Sequence, residues 1–190
     1  MENKKVKKSN VGLEIVEKSW SEYNESDKKE VLNDEPEIYT LEDVLTPMEC
    51  IHLIKLSKDN LERAKVTGSE NLEVHSSRTG SNCWINHDHD DVVKKITQKI
   101  SDIVKLPLKN AESLQIIHYR TNEQYKSHLD GWTHNKSEKS FRNMKNGGQR
   151  ILTVLGYLNN VPKGGGTKFT KLNKTVYSEQ GKLLIFSNVY

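Results

Sequence analysis

The apolar positions of this chain follow a helical period in its first half and a strand period in its second. Thr46-Pro47-Met48-Glu49 is a helix start, with a Thr cap, Pro at the first position and Glu three residues on. Cys50, Leu53, Ile54, Ser57 and Leu61 then fall on one face, which predicts a helix packed on a sheet. Val92, Val93, Ile96, Ile100, Ile103 and Val104 mark a second amphipathic helix, closed off by Pro107. Gly68 to Asn71 breaks the chain between the helices. Glu73 to Asn86 is expected to form two short strands around Arg78-Thr79-Gly80-Ser81, with Trp84 as core or pocket wall. Ile38 to Leu41 reads as an opening strand.

From Leu114 the period is two. Leu114, Ile116 and His118 alternate with Gln115, Ile117 and Tyr119, as in a half-buried strand. A polar turn over Arg120 to Gln124 leads to a second extended run, Tyr125 to Asp130. Further strands are predicted over 150–159, 167–171, 174–178 and 182–188, with turns at Asn159 to Gly166, at Asn173 and at Glu179 to Gly181. Two helices followed by antiparallel strands predict an α+β, mainly β domain. The expected form is a double-stranded β-helix (jelly-roll) with two flanking N-terminal helices.

Composition refines the boundaries. The 190 residues fit one domain, but only 34% are hydrophobic, and the mean hydropathy is −0.77. The polar excess is concentrated in residues 1–35, expected to be a disordered tail with a Lys4, Lys5, Lys7, Lys8 cluster; the domain is then 36–190. A net charge of +3 without a basic stripe among aromatics gives no reason to invoke nucleic acid. Two cysteines, Cys50 and Cys83, make no disulfide framework and suit a reducing compartment. No apolar run is of membrane-spanning length, and the N-terminus lacks a secretory h-region, so a cytoplasmic location away from membranes is expected.

Two sets of side chains are candidate metal ligands. His87-Asp88-His89-Asp90-Asp91 heads the second helix, where acidic residues favour the dipole. Residues two apart on a helix diverge by about 200°, so His89 and Asp91 do not converge on one ion there. In His128-Leu129-Asp130, by contrast, an extended backbone puts an imidazole and a carboxylate on one face. They are two of the three ligands of a 2-His-1-carboxylate triad. Alone, such a tripeptide is more often a solvated strand end.

Its context is more specific. Tyr119, Tyr125, His128 and Asp130 are followed by Gly147-Gly148-Gln149-Arg150, the strand ILTVLGYL, and Gly164-Gly165-Gly166-Thr167-Lys168-Phe169. This order resembles the prolyl 4-hydroxylase family of Fe(II)- and 2-oxoglutarate-dependent dioxygenases over roughly residues 38 to 190. The resemblance implies that His128 and Asp130 hold Fe(II). It implies 2-oxoglutarate contacts from Tyr119 and Thr167, with Tyr157 facing the same pocket as Thr153. It also implies contacts from Arg150, Glu112, Tyr125 and Arg78 to a proline-containing peptide or protein, and ascorbate as reductant. In the family an Arg-Thr-Ser segment lies over the site; Gly80 stands here in place of the Ser.

The family's distal His and a Lys for the far carboxylate of 2-oxoglutarate follow a strand like Gly181 to Phe186. In this sequence no His follows His134, and the last Lys is Lys182. The domain is therefore expected to be C-terminally incomplete. A truncated frame, a ligand from elsewhere (His134 or His118) and a catalytically inactive peptide-binding relative all remain open. So does the substrate: free proline, a collagen-like repeat, a signalling peptide or a ribosomal protein.

Overall fold

The computed structural model describes residues 28–67, 72–73, 75–132, 144–145 and 148–189. The Lys4 to Lys8 cluster, most of the expected tail, His134 and Gly147 lie outside the described residues. The elements are β1 (Lys29–Asn33), β2 (Ile38–Leu41), α1 (Pro47–Lys58), β3 (Glu62–Arg63), β4 (Val66–Thr67) and β5 (Leu72–Glu73). They continue with β6 (Ser81–Ile85), α2 (Asp91–Val104), β7 (Leu114–His118), β8 (Leu152–Gly156), β9 (Thr167–Phe169), β10 (Lys174–Val176) and β11 (Leu183–Ser187). The architecture is mainly β with two helices, as the periodicity predicts.

The larger sheet has the order β1-β2-β11-β8, with β11 antiparallel to both neighbours. A second sheet, β3-β6-β7, carries the Leu114 to His118 strand, and β9-β10 forms a hairpin. One face of the larger sheet contributes Tyr39, Leu41, Leu183 and Ile185 to a core shared with both helices and with Cys83 and Ile85 of β6. Its other face, through Ile38, Leu155, Leu184 and Phe186, packs on Val176 and Phe169 of the hairpin. Strand alternation thus feeds two apolar clusters. Each fully buried aliphatic side chain stabilises the fold by about 1.5–3 kcal/mol. Gly181, at a φ of +89°, turns the chain into β11 while its carbonyl accepts from the Val44 and Leu45 amides.

The Thr46 cap forms as expected. Its hydroxyl accepts from the Glu49 amide, and Glu49 accepts from the Thr46 amide. Glu49 nonetheless reaches inward, 1% exposed, where Lys99 of α2 meets it at 2.8 Å. Ile54, expected on the buried face, is exposed instead. Asp90 caps α2 by accepting from the Val93 amide and bonds His52 of α1 at 2.8 Å, so the acidic run starts a helix as predicted.

Three local expectations change. The ordered sheet begins at Lys29, inside the stretch expected as tail, because β1 pairs along β2 despite its polar sequence. The region after α1 contains the additional two-residue strands β3 and β4. Tyr125 to Asp130 is no regular strand: Tyr125 makes one bridge, to Arg78, and the chain then bends. Among the described residues, no helix is long and apolar enough to cross a membrane.

Candidate metal and co-substrate site

His128 and Asp130 meet without a strand to hold them. Nε2 of His128 lies 3.0 Å from Oδ1 of Asp130, and each group is fixed from behind. Nδ1 of His128 bonds the Lys126 carbonyl at 2.7 Å. A carbonyl only accepts, so Nδ1 carries a proton and Nε2 is the nitrogen that faces the carboxylate. Asp130 Oδ2 accepts from the Thr153 hydroxyl at 2.9 Å, and that hydroxyl accepts from the Asn188 side-chain amide at 2.9 Å.

Electrostatics agree with the geometry. Burial alone would depress the His128 pKa, but the bonds to Asp130 and the Lys126 carbonyl raise it above its ordinary value. Burial would raise Asp130, yet the bonds from His128 and Thr153 hold its carboxyl below the usual range. An imidazole whose Nδ1 is committed can face a carboxylate only with a positive centre at Nε2, either a proton or a metal ion. Cis ligands on an ion at about 2.1 Å stand about 3 Å apart, the separation found here. A histidine whose second nitrogen bonds a carbonyl is the usual outer-shell arrangement of a ligand. His128 and Asp130 therefore fit a divalent metal. Among the described residues no group of three or more His, Cys, Asp and Glu side chains forms a cluster.

The Tyr125 ring lies on the His128 imidazole, with centroids 3.6 Å apart and planes at 18°. Arg78, buried, places its guanidinium carbon 4.8 Å from the centroid of the same Tyr125 ring. Tyr119 follows β7. Its ring packs on Gly80 so closely that a Cβ there would stand 2.6 Å from the ring carbons, which accounts for glycine at this position. Burial raises the Tyr119 pKa, with the Arg78 charge opposing.

Arg150 pairs with both carboxylate oxygens of Glu112, one bond being 2.8 Å, and stacks its guanidinium on Trp132 at 4.1 Å. Gln149 holds the Trp132 backbone at both its amide (2.6 Å) and its carbonyl (2.7 Å). Arg150 also contributes to lowering Asp130. The predicted residues Arg150 and Glu112 thus form one charged, aromatic-backed edge near the carboxylate.

Tyr157 and Thr167 are brought together, hydroxyl to hydroxyl, at 2.9 Å. Thr153 pairs across the sheet with Phe186 of the second apolar cluster, to which Leu155 and Tyr157 also belong. Thr153, Leu155 and Tyr157 therefore share one face, with Asp130 at one end and the Tyr157–Thr167 pair at the other. Sequence reasoning missed Asn188 and the stacking of Tyr125. No local signal in the sequence marks either contact.

No protein-family profile matches the chain. Among curated proteins, it is 39% identical over 157 residues to prolyl 4-hydroxylase 2 of Arabidopsis thaliana, covering 82% of this chain and 50% of that protein. It is 36% identical over 177 residues to prolyl 4-hydroxylase 5 of the same organism, covering 88% and 58%. The chain thus spans about half the length of these relatives. Among solved structures, it resembles the 2OG complex of viral collagen prolyl hydroxylase vCPH from Paramecium Bursaria Chlorella virus-1. The TM-score is 0.58 at 21% identity, over 79% of this chain and 77% of that one. A Pseudomonas putida prolyl-4-hydroxylase gives a TM-score of 0.54 at 16% identity, over 80% of each chain.

Proposed function

The chain is a relative of the prolyl 4-hydroxylases, and on that premise we propose that it is an Fe(II)- and 2-oxoglutarate-dependent dioxygenase that hydroxylates prolyl residues in a peptide or protein. The observation that carries this reading is the His128–Asp130 donor pair, 3.0 Å apart with the outer nitrogen of His128 already committed. The two sheet faces around the Phe186 and Val176 cluster are read as the halves of a double-stranded β-helix, with the pair at its mouth.

Iron bound at these two ligands would supply oxygen activation coupled to decarboxylation of 2-oxoglutarate, with ascorbate as reductant. This chain's residues do the rest. His128 presents Nε2, and Asp130 presents Oδ1, held in place by Thr153. The face running from Thr153 to the Tyr157–Thr167 pair gives the co-substrate an apolar wall ending in two hydroxyls, with Tyr119 as a further contact. Arg150, Glu112 and Tyr125 form the side assigned to the peptide; Arg78, which the resemblance also assigns there, is buried. The two buried free thiols, Cys50 and Cys83, support a reducing, cytoplasmic setting.

The test is succinate release from 2-oxoglutarate with Fe(II) and ascorbate, with and without proline-rich peptides. Peptide-stimulated succinate that is lost in His128→Ala and Asp130→Ala is expected. Peptide binding with no succinate under any metal loading would overturn the enzymatic reading in favour of a peptide-binding module.

A further inference from the structure

The segment before β6 and the segment bearing His128 lie side by side. The Thr79 amide donates to the Gln124 carbonyl (2.8 Å), the Lys126 amide donates to the Ser77 carbonyl (2.8 Å), and Arg78 bridges Tyr125 between them. The Thr79 hydroxyl closes the ladder by accepting from the Gln124 amide at 2.7 Å. Arg78 thus enters a rigid frame. Its guanidinium donates to the Lys65 carbonyl and to Oε1 of Gln115, each at 3.1 Å, while its Nε has no hydrogen-bond partner among the described residues.

That burial is unusual. Arg78, only 9% exposed as a residue, donates to two neutral acceptors, and among the described residues no carboxylate pairs with it. Burying such a cation costs free energy unless something offsets it. The Tyr125 ring also meets the charge, and the same ring stacks on the His128 imidazole. A side chain packed in this way is poorly disposed to meet a peptide.

We propose that Arg78 is a positioning residue for the metal-binding histidine: anchored by Lys65 and Gln115, it fixes the Tyr125 ring, which clamps the His128 imidazole with Nε2 directed at Asp130. The proposal deepens the functional reading above and rests on His128 being a ligand. Its role reaches the ligand through the Tyr125 ring.

The test uses the whole 190-residue chain, with Arg78→Met, Tyr125→Leu and the milder Gln115→Leu, which removes one anchor and leaves the guanidinium in place. The first readout is metal-free. The imidazole carbon-bound protons of His128, assigned by difference against His128→Gln, are followed by NMR. Stacked at 3.6 Å, they are shifted upfield by the Tyr125 ring. Tyr125→Leu is expected to abolish that shift, Arg78→Met to remove most of it, and Gln115→Leu to reduce it, with the other histidine signals unmoved. The second readout is Co(II) affinity and its visible spectrum. Arg78→Met is expected to weaken binding by about 10–100-fold, as losses behind a ligand do, while proline-rich peptide affinity holds.

An unchanged His128 shift in Arg78→Met would overturn the proposal, as would lost peptide affinity with Co(II) binding intact. Should Arg78→Met fail to fold, an unmoved His128 shift in Gln115→Leu overturns it equally. If the unsubstituted chain takes up no Co(II), it is the metal reading that fails, and the metal-free shifts still decide the role of Arg78.

Discussion

The Thr153 hydroxyl donates to Asp130 at 2.9 Å and accepts from Asn188 at the same distance, tying the carboxylate to the end of β11 through the edge strand β8. Thr153→Val keeps the shape and removes the bond. The expected result is a 10–100-fold loss of Mn(II) or Co(II) affinity measured calorimetrically, with only a small change in thermal midpoint.

Glu49 is the most buried acid described, and Lys99 supplies its counter-charge from the other helix. Lys99→Met leaves a carboxylate buried with only the Thr46 amide to satisfy it. Urea unfolding should register a loss of about 3–5 kcal/mol. A loss below 1 kcal/mol would mean that water reaches Glu49 in the folded protein.

Asp90 should give the fold part of its acid sensitivity. Burial would raise its pKa, but the bonds from the Val93 amide and His52 outweigh burial and lower it. A folded-state pKa below the unfolded one stabilises the protein above the unfolded value. That stability is lost as pH falls through the folded value. Asp90→Asn, which still caps, should therefore flatten the acid limb of a stability–pH curve by losing that charge-dependent part at neutrality, whereas Asp90→Ala, which also loses the cap, should cost a further ~0.5–2 kcal/mol at neutral pH.

Cys50 is fully buried, and its thiol is pushed up to about 11 by burial and by the neighbouring Glu49 charge. Burial raises Cys83 as well. Neither thiol should react with Ellman's reagent at pH 8 except as the protein unfolds, so labelling should follow unfolding in rate. Prompt labelling of the folded chain would contradict this burial.

Gly80 carries the Tyr119 ring against its backbone. Gly80→Ala should displace that ring, at about 1–3 kcal/mol for overpacking. If Tyr119 contacts 2-oxoglutarate, the variant should raise the KM for 2-oxoglutarate more than it lowers kcat.

What was legible in the sequence was what depends on neighbours. The Thr46 capping box, the start of α2 at the acidic run and the strand over Leu114 to His118 each arise within a few residues, and all form as expected. The His128–Asp130 pair was legible by spacing, although its convergence comes from the Lys126 carbonyl and Thr153 and not from a strand. What was hidden depends on partners far along the chain. Lys29 to Asn33 is polar and becomes a strand only because β2 offers an edge. Ile54 is apolar and stays exposed, while Glu49, Cys50, Leu53 and Ser57 are the buried residues of α1. Asn188 reaches Thr153 only once β8 and β11 have paired.

The position of β11 between β2 and β8 also sets an order of events in time. Leu41 finds its partner Leu183 only after more than a hundred intervening residues have been made, and Thr153 meets Asn188 only when the same strand has docked. Pairings of such long separation are slow to form. The helices and the β6-β7 pair are complete long before a ribosome delivers Leu183 to Ser187. Until then the β1-β2 hairpin and β8 are two unjoined edges exposed to the cell. The nascent chain thus gains the Asn188 bond to Thr153 in the same step that seals its main sheet, and the sheet edges stay open to aggregation until then.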